Sequence, residues 1–228
     1  MEVNADFSQR VLIDTNALAW IPSPLAGVDR RMLDRVGDEV ARATSIVRYA
    51  PGSAFSPHTH TGGEEFFVLD GTFSDEHGDY GPGFYVRNPV GSAHTPSSED
   101  GCTILVKLWQ MDPADQTFVR TDTRNGDWQA TDRDGVEMLP LHEYGNERVM
   151  LFRLAPGASV PLHGHAGGEE LLVLEGELAD EHGRYPQGSW LRSPPGTRHA
   201  PFSDTGCLIY VKLGHLADVR GLNIGASS

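Results

Sequence analysis

Cysteine is scarce, with two in 228 residues, too few for a disulfide framework. Basic residues are also short. Eighteen Lys and Arg against 32 Asp and Glu give a formal net charge of −14. Phosphate backbones and anionic bilayers repel such a surface, so neither nucleic acid nor a membrane is an expected partner. No apolar run approaches the roughly 20 residues of a helical membrane span. Met1 to Arg10 lacks the basic and apolar regions of a secretory leader,. Sustained helical periodicity is missing too, while 26 Gly and 15 Pro favour short strands joined by turns. These absences point to a cytoplasmic, all-β protein.

What is present is a repeat. PGSAFSPHTHTGGEEFFVLDG, from Pro51 to Gly71, returns as PGASVPLHGHAGGEELLVLEG from Pro156 to Gly176. His58 and His163 are 105 positions apart, and so are His94 and His199, Asp75-Glu76-His77-Gly78 and Asp180-Glu181-His182-Gly183, and Cys102 and Cys207. About half the positions from Pro51 to Leu108 recur, without a gap. Upstream the likeness weakens, and Trp20 answers Trp128 at an offset of 108. Internal repetition of this kind signals duplicated structural units. The expected division is residues 1–112 and 113–228, each half large enough for its own core.

Within each half the pattern is chemical. On a strand, alternate residues face the same side, so His58 projects with His60 and His163 with His165. The Gly-Gly pair that follows can turn the chain in a conformation closed to other residues. Such a turn would bring a carboxylate back to the imidazoles. A third histidine, His94 or His199, completes the set. Three imidazoles and a carboxylate suit a borderline divalent ion. Parity puts Glu64 with Phe66 and Val68, and Glu65 with Phe67 and Leu69. Only one glutamate of each pair should therefore face inward.

The spacing of Gly52, His58, His60, Glu64 and Gly71 resembles the first cupin motif. That of Gly83, Pro89, Gly91 and His94 resembles the second. Gly157, His163, His165, Glu169 and Gly176, then Gly188, Pro194, Gly196 and His199, repeat both. The resemblance implies two tandem jelly-roll barrels, a bicupin. It favours Glu64 and Glu169 as ligands beside His58, His60, His94, His163, His165 and His199. One ion per barrel, two per chain, follows: zinc as isolated, with iron, manganese or nickel also accepted. The words GGEEFFVLDG, DEHGDY, YVRNP, GSAHTPS and GCTILVKL resemble the cupin domain of ChrR anti-sigma factors. In those proteins a zinc-binding anti-sigma domain comes before the cupin. No counterpart is read here, so sigma-factor binding is not carried over. Ser98 and Ser203 depart from the Asn with which many cupins close the second motif.

Other residues have plainer readings. Glu65 and Glu170 either lie behind the ligands or pair with a cation. Arg87 and Arg192 read first as salt bridges at the barrel mouth, or alternatively as anchors for an anionic ligand or as partners of the paired glutamates behind the metal ligands. Phe66, Val68, Leu171 and Val173 are available to line a pocket. Tyr80 and Tyr185 read as packing residues, His77 and His182 as solvated turns, and Cys102 and Cys207 as small buried apolar groups. Lys107 and Lys212 read as snorkelling surface residues. Apolar positions 28, 32, 33 and 36 fit one short helix from Val28 to Val36. Residues 1–10 and the tail from His215 read as loosely held, Val11 to Ile13 as an edge strand. Residues 112–135 read as the connection, with a strand at 117–121. Two functions remain open. One is a metal-bound sensing or small-ligand-binding module. The other is a metal-dependent dioxygenase for a small carbonyl or phenolic substrate; an oxalate-decarboxylase-like enzyme is a weaker third. A homo-oligomer is compatible with either.

Overall fold

The computed structural model describes residues 1–219, and almost all of its regular structure is antiparallel strand. It divides into two compact units. The first comprises Met1–Ala5 and Leu18–Asn125, and the second comprises Asp6–Ala17 and Gly126–Val219.

In the first unit the large sheet runs Glu2–Val3, Val28–Gly37, Ala41–Tyr49, Cys102–Leu108, Glu64–Gly71, Phe84–Asn88 and Val119–Asp122, with Ile21–Pro22 paired to Val28–Gly37. Facing strands Phe73–Asp75, Gly78–Tyr80, Ser97–Ser98 and Ser53–Ala54 form a smaller sheet, and His58–Thr59 pairs with Ala93–His94. Inward residues of alternate parity make the core: Phe66, Val68, Phe73, Val86, Ile104 and Val106. The second unit repeats this plan, with Leu171, Val173, Leu178, Leu191, Ile209 and Val211 in its core.

The units do not follow a cut at residue 112. Val11–Asp14 pairs with Ser189–Ser193, so the strand expected at an edge completes the second unit's large sheet. Val119–Asp122 pairs with Phe84–Asn88 and completes the first. These two strands are repeat equivalents at the offset of 108 already seen in the tryptophans. Each repeat therefore lends its opening strand to the other unit's sheet.

Val28–Gly37 is a strand, not the expected helix. A bulge between Met32 and Asp34 shifts its register against Ala41–Tyr49. Adding one residue flips strand parity, so Val28 and Leu33 are both buried although they differ in parity. The resulting spacing mimics a helical face. Residues 1–10 are held better than expected, with Phe7 buried and Arg10 donating to Tyr185. At the other end His215 and Leu216 are buried rather than frayed; residues 220–228 lie outside the described residues.

Candidate metal centres

His58 sits on the two-residue strand paired with Ala93–His94, directly opposite His94. After His60 the chain reverses through Gly62 and Gly63, and Gly63 donates its N–H to the His60 carbonyl. Gly63 has φ +76°, and a Cβ on Gly62 would lie 2.1 Å from Trp109, so the glycine pair is required by geometry. The turn delivers Glu64 at the start of its strand. Glu64 Oε2 lies 3.4 Å from His60 Nε2 and 3.6 Å from His94 Nε2, and His58 Nε2 lies 3.3 Å from His60 Nε2. Together His58, His60, Glu64 and His94 offer one donor each, all within 4.8 Å of one another. An ion about 2.1 Å from each donor would set neighbouring donors about 3.0–3.4 Å apart. The observed spacings fit a divalent ion with little movement, and the group could hold one.

In the second unit His163, His165 and His199 form the corresponding group. His165 Nε2 and His199 Nε2 are 3.1 Å apart. Glu169 approaches these two imidazoles at 3.6 and 3.7 Å, but its carboxylate is not within the set that includes His163.

Two Nδ1 atoms are held by carboxylates. His94 Nδ1 meets Asp75 Oδ2 at 3.2 Å, and His199 Nδ1 meets Asp180 Oδ2 at 3.3 Å. Each aspartate also accepts a tyrosine hydroxyl, Tyr80 at 2.9 Å and Tyr185 at 2.5 Å. A carboxylate on Nδ1 fixes the ring and leaves Nε2 free to act as donor to a metal ion. Sequence reasoning missed Asp75 and Asp180 in this role. The signal was there, in the repeated Asp-Glu-His-Gly, but a hairpin turn is its plainer reading.

Burial would raise the Asp75 carboxyl, but hydrogen bonds from His94, His77 and Tyr80 bring it down to about 2. Burial lowers His60 and, with the neighbouring His199 and His163, takes His165 down to about 4. His94 goes the other way: burial would lower it, but Asp75 and Glu64 raise it. Glu169 is pushed up to about 8 by burial and by Asp180. Burial thus favours the neutral forms of His165 and Glu169.

The paired glutamates diverge as strand parity requires. Glu65 lies on the opposite sheet face from Glu64, where it accepts from Tyr85 at 2.8 Å and Arg87 at 2.9 Å. Arg87 also bonds Asp115 at 2.7 Å. Glu170 accepts from Trp190 at 2.8 Å and sits 3.1 Å from His215 Nε2. Arg192 donates to the Asp6 carbonyl and stacks over Phe7. These residues form buried networks on the far side of the large sheets, not at a barrel mouth and not behind the imidazoles. Lys107 and Lys212 share that burial, the one bonded to Thr44 and the other paired with Glu147. They do not snorkel, because the sheet face that carries them is covered. Phe66, Val68, Leu171 and Val173 are nearly inaccessible and belong to the packed cores.

The remaining readings fall as expected. Tyr80 and Tyr185 are buried, Cys102 and Cys207 are buried free thiols, and His77 and His182 are exposed. Ser98 and Ser203 spend their hydroxyls on the carbonyls of Thr72 and Glu177, both at 2.6 Å.

Comparison with known proteins bears on these groups. The family model described as the ChrR cupin-like domain matches residues 8–112 and again 116–217. The chain belongs to this family. The fold is shared with a protein described as a candidate dioxygenase from Nostoc punctiforme, TM-score 0.77 and 19% identical over 94% of this chain and 86% of that one. It is shared also with protein YlbA of E. coli, TM-score 0.70 and 15% identical over 92% and 93%. An oxalate decarboxylase variant from Bacillus subtilis gives TM-score 0.63 and 13% identity over 89% and 76%. At these identities the likeness is one of fold. A search of curated sequences found no match. No helix among the described residues is long and apolar enough to cross a membrane.

Proposed function

We propose that this bicupin binds a divalent metal ion in each unit, two per chain, and acts as a sensing or small-ligand-binding module. His58, His60, Glu64 and His94 would hold one ion, and His163, His165 and His199, with Glu169 beside them, the other. The convergence of His58, His60, Glu64 and His94 carries the reading. An ion held there would supply Lewis acidity, and an octahedral ion would keep about two positions for exchange with four protein donors and about three with three. The chain's own part is to orient the donors. Asp75 and Asp180 lock two imidazoles, and the glycine turns place the carboxylates. His58 is exposed, so the first group is reachable from solvent on that side.

Zinc is the ion proposed for the protein as isolated; iron, manganese and nickel suit the same donors. Elemental analysis of chelator-free protein tests the reading, with close to two equivalents expected. A ratio near zero after metal loading would overturn it, and a ratio near one would remove one centre.

The exposed side of His58 also favours a second reading, a dioxygenase for a small carbonyl or phenolic substrate. Nitric oxide added to anaerobic Fe(II)-loaded protein tests the open position that this reading needs, by electron paramagnetic resonance. An adduct is expected if a position is open. Its absence in both units would count against an oxygenase.

A further inference from the structure

The two metal groups differ in a way the repeated motif conceals. In the first unit Asn88 Nδ2 donates to Glu64 Oε2 at 3.2 Å, and Ser92 Oγ lies 3.0 Å from His60 Nδ1. Asn88 Oδ1 accepts from Arg120 at 3.3 Å, and Arg120 Nε donates to the Tyr80 hydroxyl at 2.9 Å. Tyr80 donates to Asp75, which meets His94. A hydrogen-bonded circuit therefore links the two metal-facing residues Glu64 and His94 through Asn88, Arg120, Tyr80 and Asp75. None of its members is exposed.

The second unit has Ser193 where the first has Asn88, and Thr197 where the first has Ser92. Ser193 pairs with Glu169 in the same register as Asn88 with Glu64. Its side chain is too short to bridge the pair, and among the described residues no side-chain hydrogen bond joins Ser193 to Glu169. The Thr197 hydroxyl turns to the Pro194 carbonyl at 2.8 Å instead of to His165. The remaining chain runs from Arg10 to Tyr185, Asp180 and His199 and stops short of the glutamate. The outcome is visible in the donors: Glu64 stands within its group and Glu169 does not.

We propose that the two centres are inequivalent, and that Asn88 and Ser92 are the positioning residues that make them so. The first is a preformed four-donor site of higher affinity. The second is a three-imidazole site of lower affinity, with one more position for water or a small oxygen ligand. The proposal rests on the metal reading above.

Co(II) titration of the metal-free full-length protein, followed by visible absorption and calorimetry, is the test. Loss of a partner that orients a ligand typically costs about 10–100-fold in metal affinity. Two binding events separated by about tenfold or more are expected. His94→Ala should remove the tighter and His199→Ala the weaker. The double exchange N88S with S92T should weaken the tight event about tenfold, and S193N with T197S should strengthen the weak one. Melting of the metal-free variants separates folding from binding. Should the first exchange unfold the protein, the second still decides, because an affinity gain cannot come from unfolding. Two equal sites, a tight event that maps to His199, or exchanges that move neither event would overturn the proposal and leave the metal reading standing. No Co(II) binding at all would overturn both.

Discussion

Asp75 Oδ2 lies 3.2 Å from Nδ1 of His94, and the same contact recurs at 3.3 Å between Asp180 and His199. Both aspartates stand in a hairpin, 19 residues before the histidine they hold. Because Nδ1 is committed, Nε2 faces the other donors. A carboxylate so placed would act on a bound ion without touching it.

Asp75→Asn should therefore reduce metal affinity in the first unit about 10–100-fold while leaving the second unaffected. Asp180→Asn should do the reverse. Competition with a chromophoric chelator measures both. Unchanged affinity in both variants would mean the contact is only structural.

The adjacent glutamates should separate cleanly. Glu64→Gln removes a donor from the metal group and should lower occupancy of the first unit sharply with a modest change in stability. Glu65→Gln leaves buried Arg87 with Asp115 but without its second carboxylate. Losing one partner of a buried ion pair costs about 3–5 kcal/mol; Asp115 remains, so the lower end is expected. Metal content of the folded Glu65→Gln protein should stay near wild type. Chemical denaturation and elemental analysis together check the pair, and the reverse outcome would exchange the two assignments.

Much of this was legible in the letters, because it depends on fixed periods. Strand parity separated Glu64 from Glu65, and the 105-residue offset identified equivalent positions in the two units. Other features depend on tertiary context. The bulge in Val28–Gly37 mixes two parities into a helix-like spacing that local pattern cannot resolve. The burial of Lys107, Lys212 and His215 depends on coverage of the outer sheet face, which no local run of residues encodes. Asp75 was hidden for a different reason: its hairpin role and its histidine-orienting role coexist, and only the fold brings Ala93–His94 against it. The differences between Asn88 and Ser193 and between Ser92 and Thr197 lay in plain view. Nothing in the motif gives them weight until the hydrogen bonds are drawn.

The thiols give a pH prediction independent of the metal groups. Burial pushes Cys102 up to about 11 from an ordinary 9 and raises Cys207 in the same direction. The folded state therefore disfavours the thiolate. Below pH 9 these thiols contribute no pH dependence. As pH rises from 9 towards 11 the unfolded chain loses its protons first, so stability should fall. Disulfide-exchange reagents at pH 8 should find essentially no reactive thiol in the native protein and two after denaturation. Rapid native labelling would show that the strands opening at Cys102 and Cys207 fray.

The turn that delivers Glu64 can be tested by two alanines that differ in one respect. Gly52 and Gly63 both have positive φ, +74° and +76°, but a Cβ at Gly52 meets nothing within 4 Å. At Gly63 it would lie 2.4 Å from Met111 Sδ and 3.0 Å from Met111 Cβ, in a side chain that is itself buried. Gly52→Ala should therefore cost only the left-handed backbone penalty, about 1–2 kcal/mol. Gly63→Ala adds an overlap whose relief costs about 1–3 kcal/mol more. Because Met111 is hemmed in, relief should also displace the turn, and with it the Glu64 carboxylate. Thermal melts should rank Gly63→Ala below Gly52→Ala, and only Gly63→Ala should lose Co(II) affinity in the first unit. Equal stability with unchanged affinity would mean that Met111 gives way freely. In that event the Gly-Gly pair would serve the backbone alone.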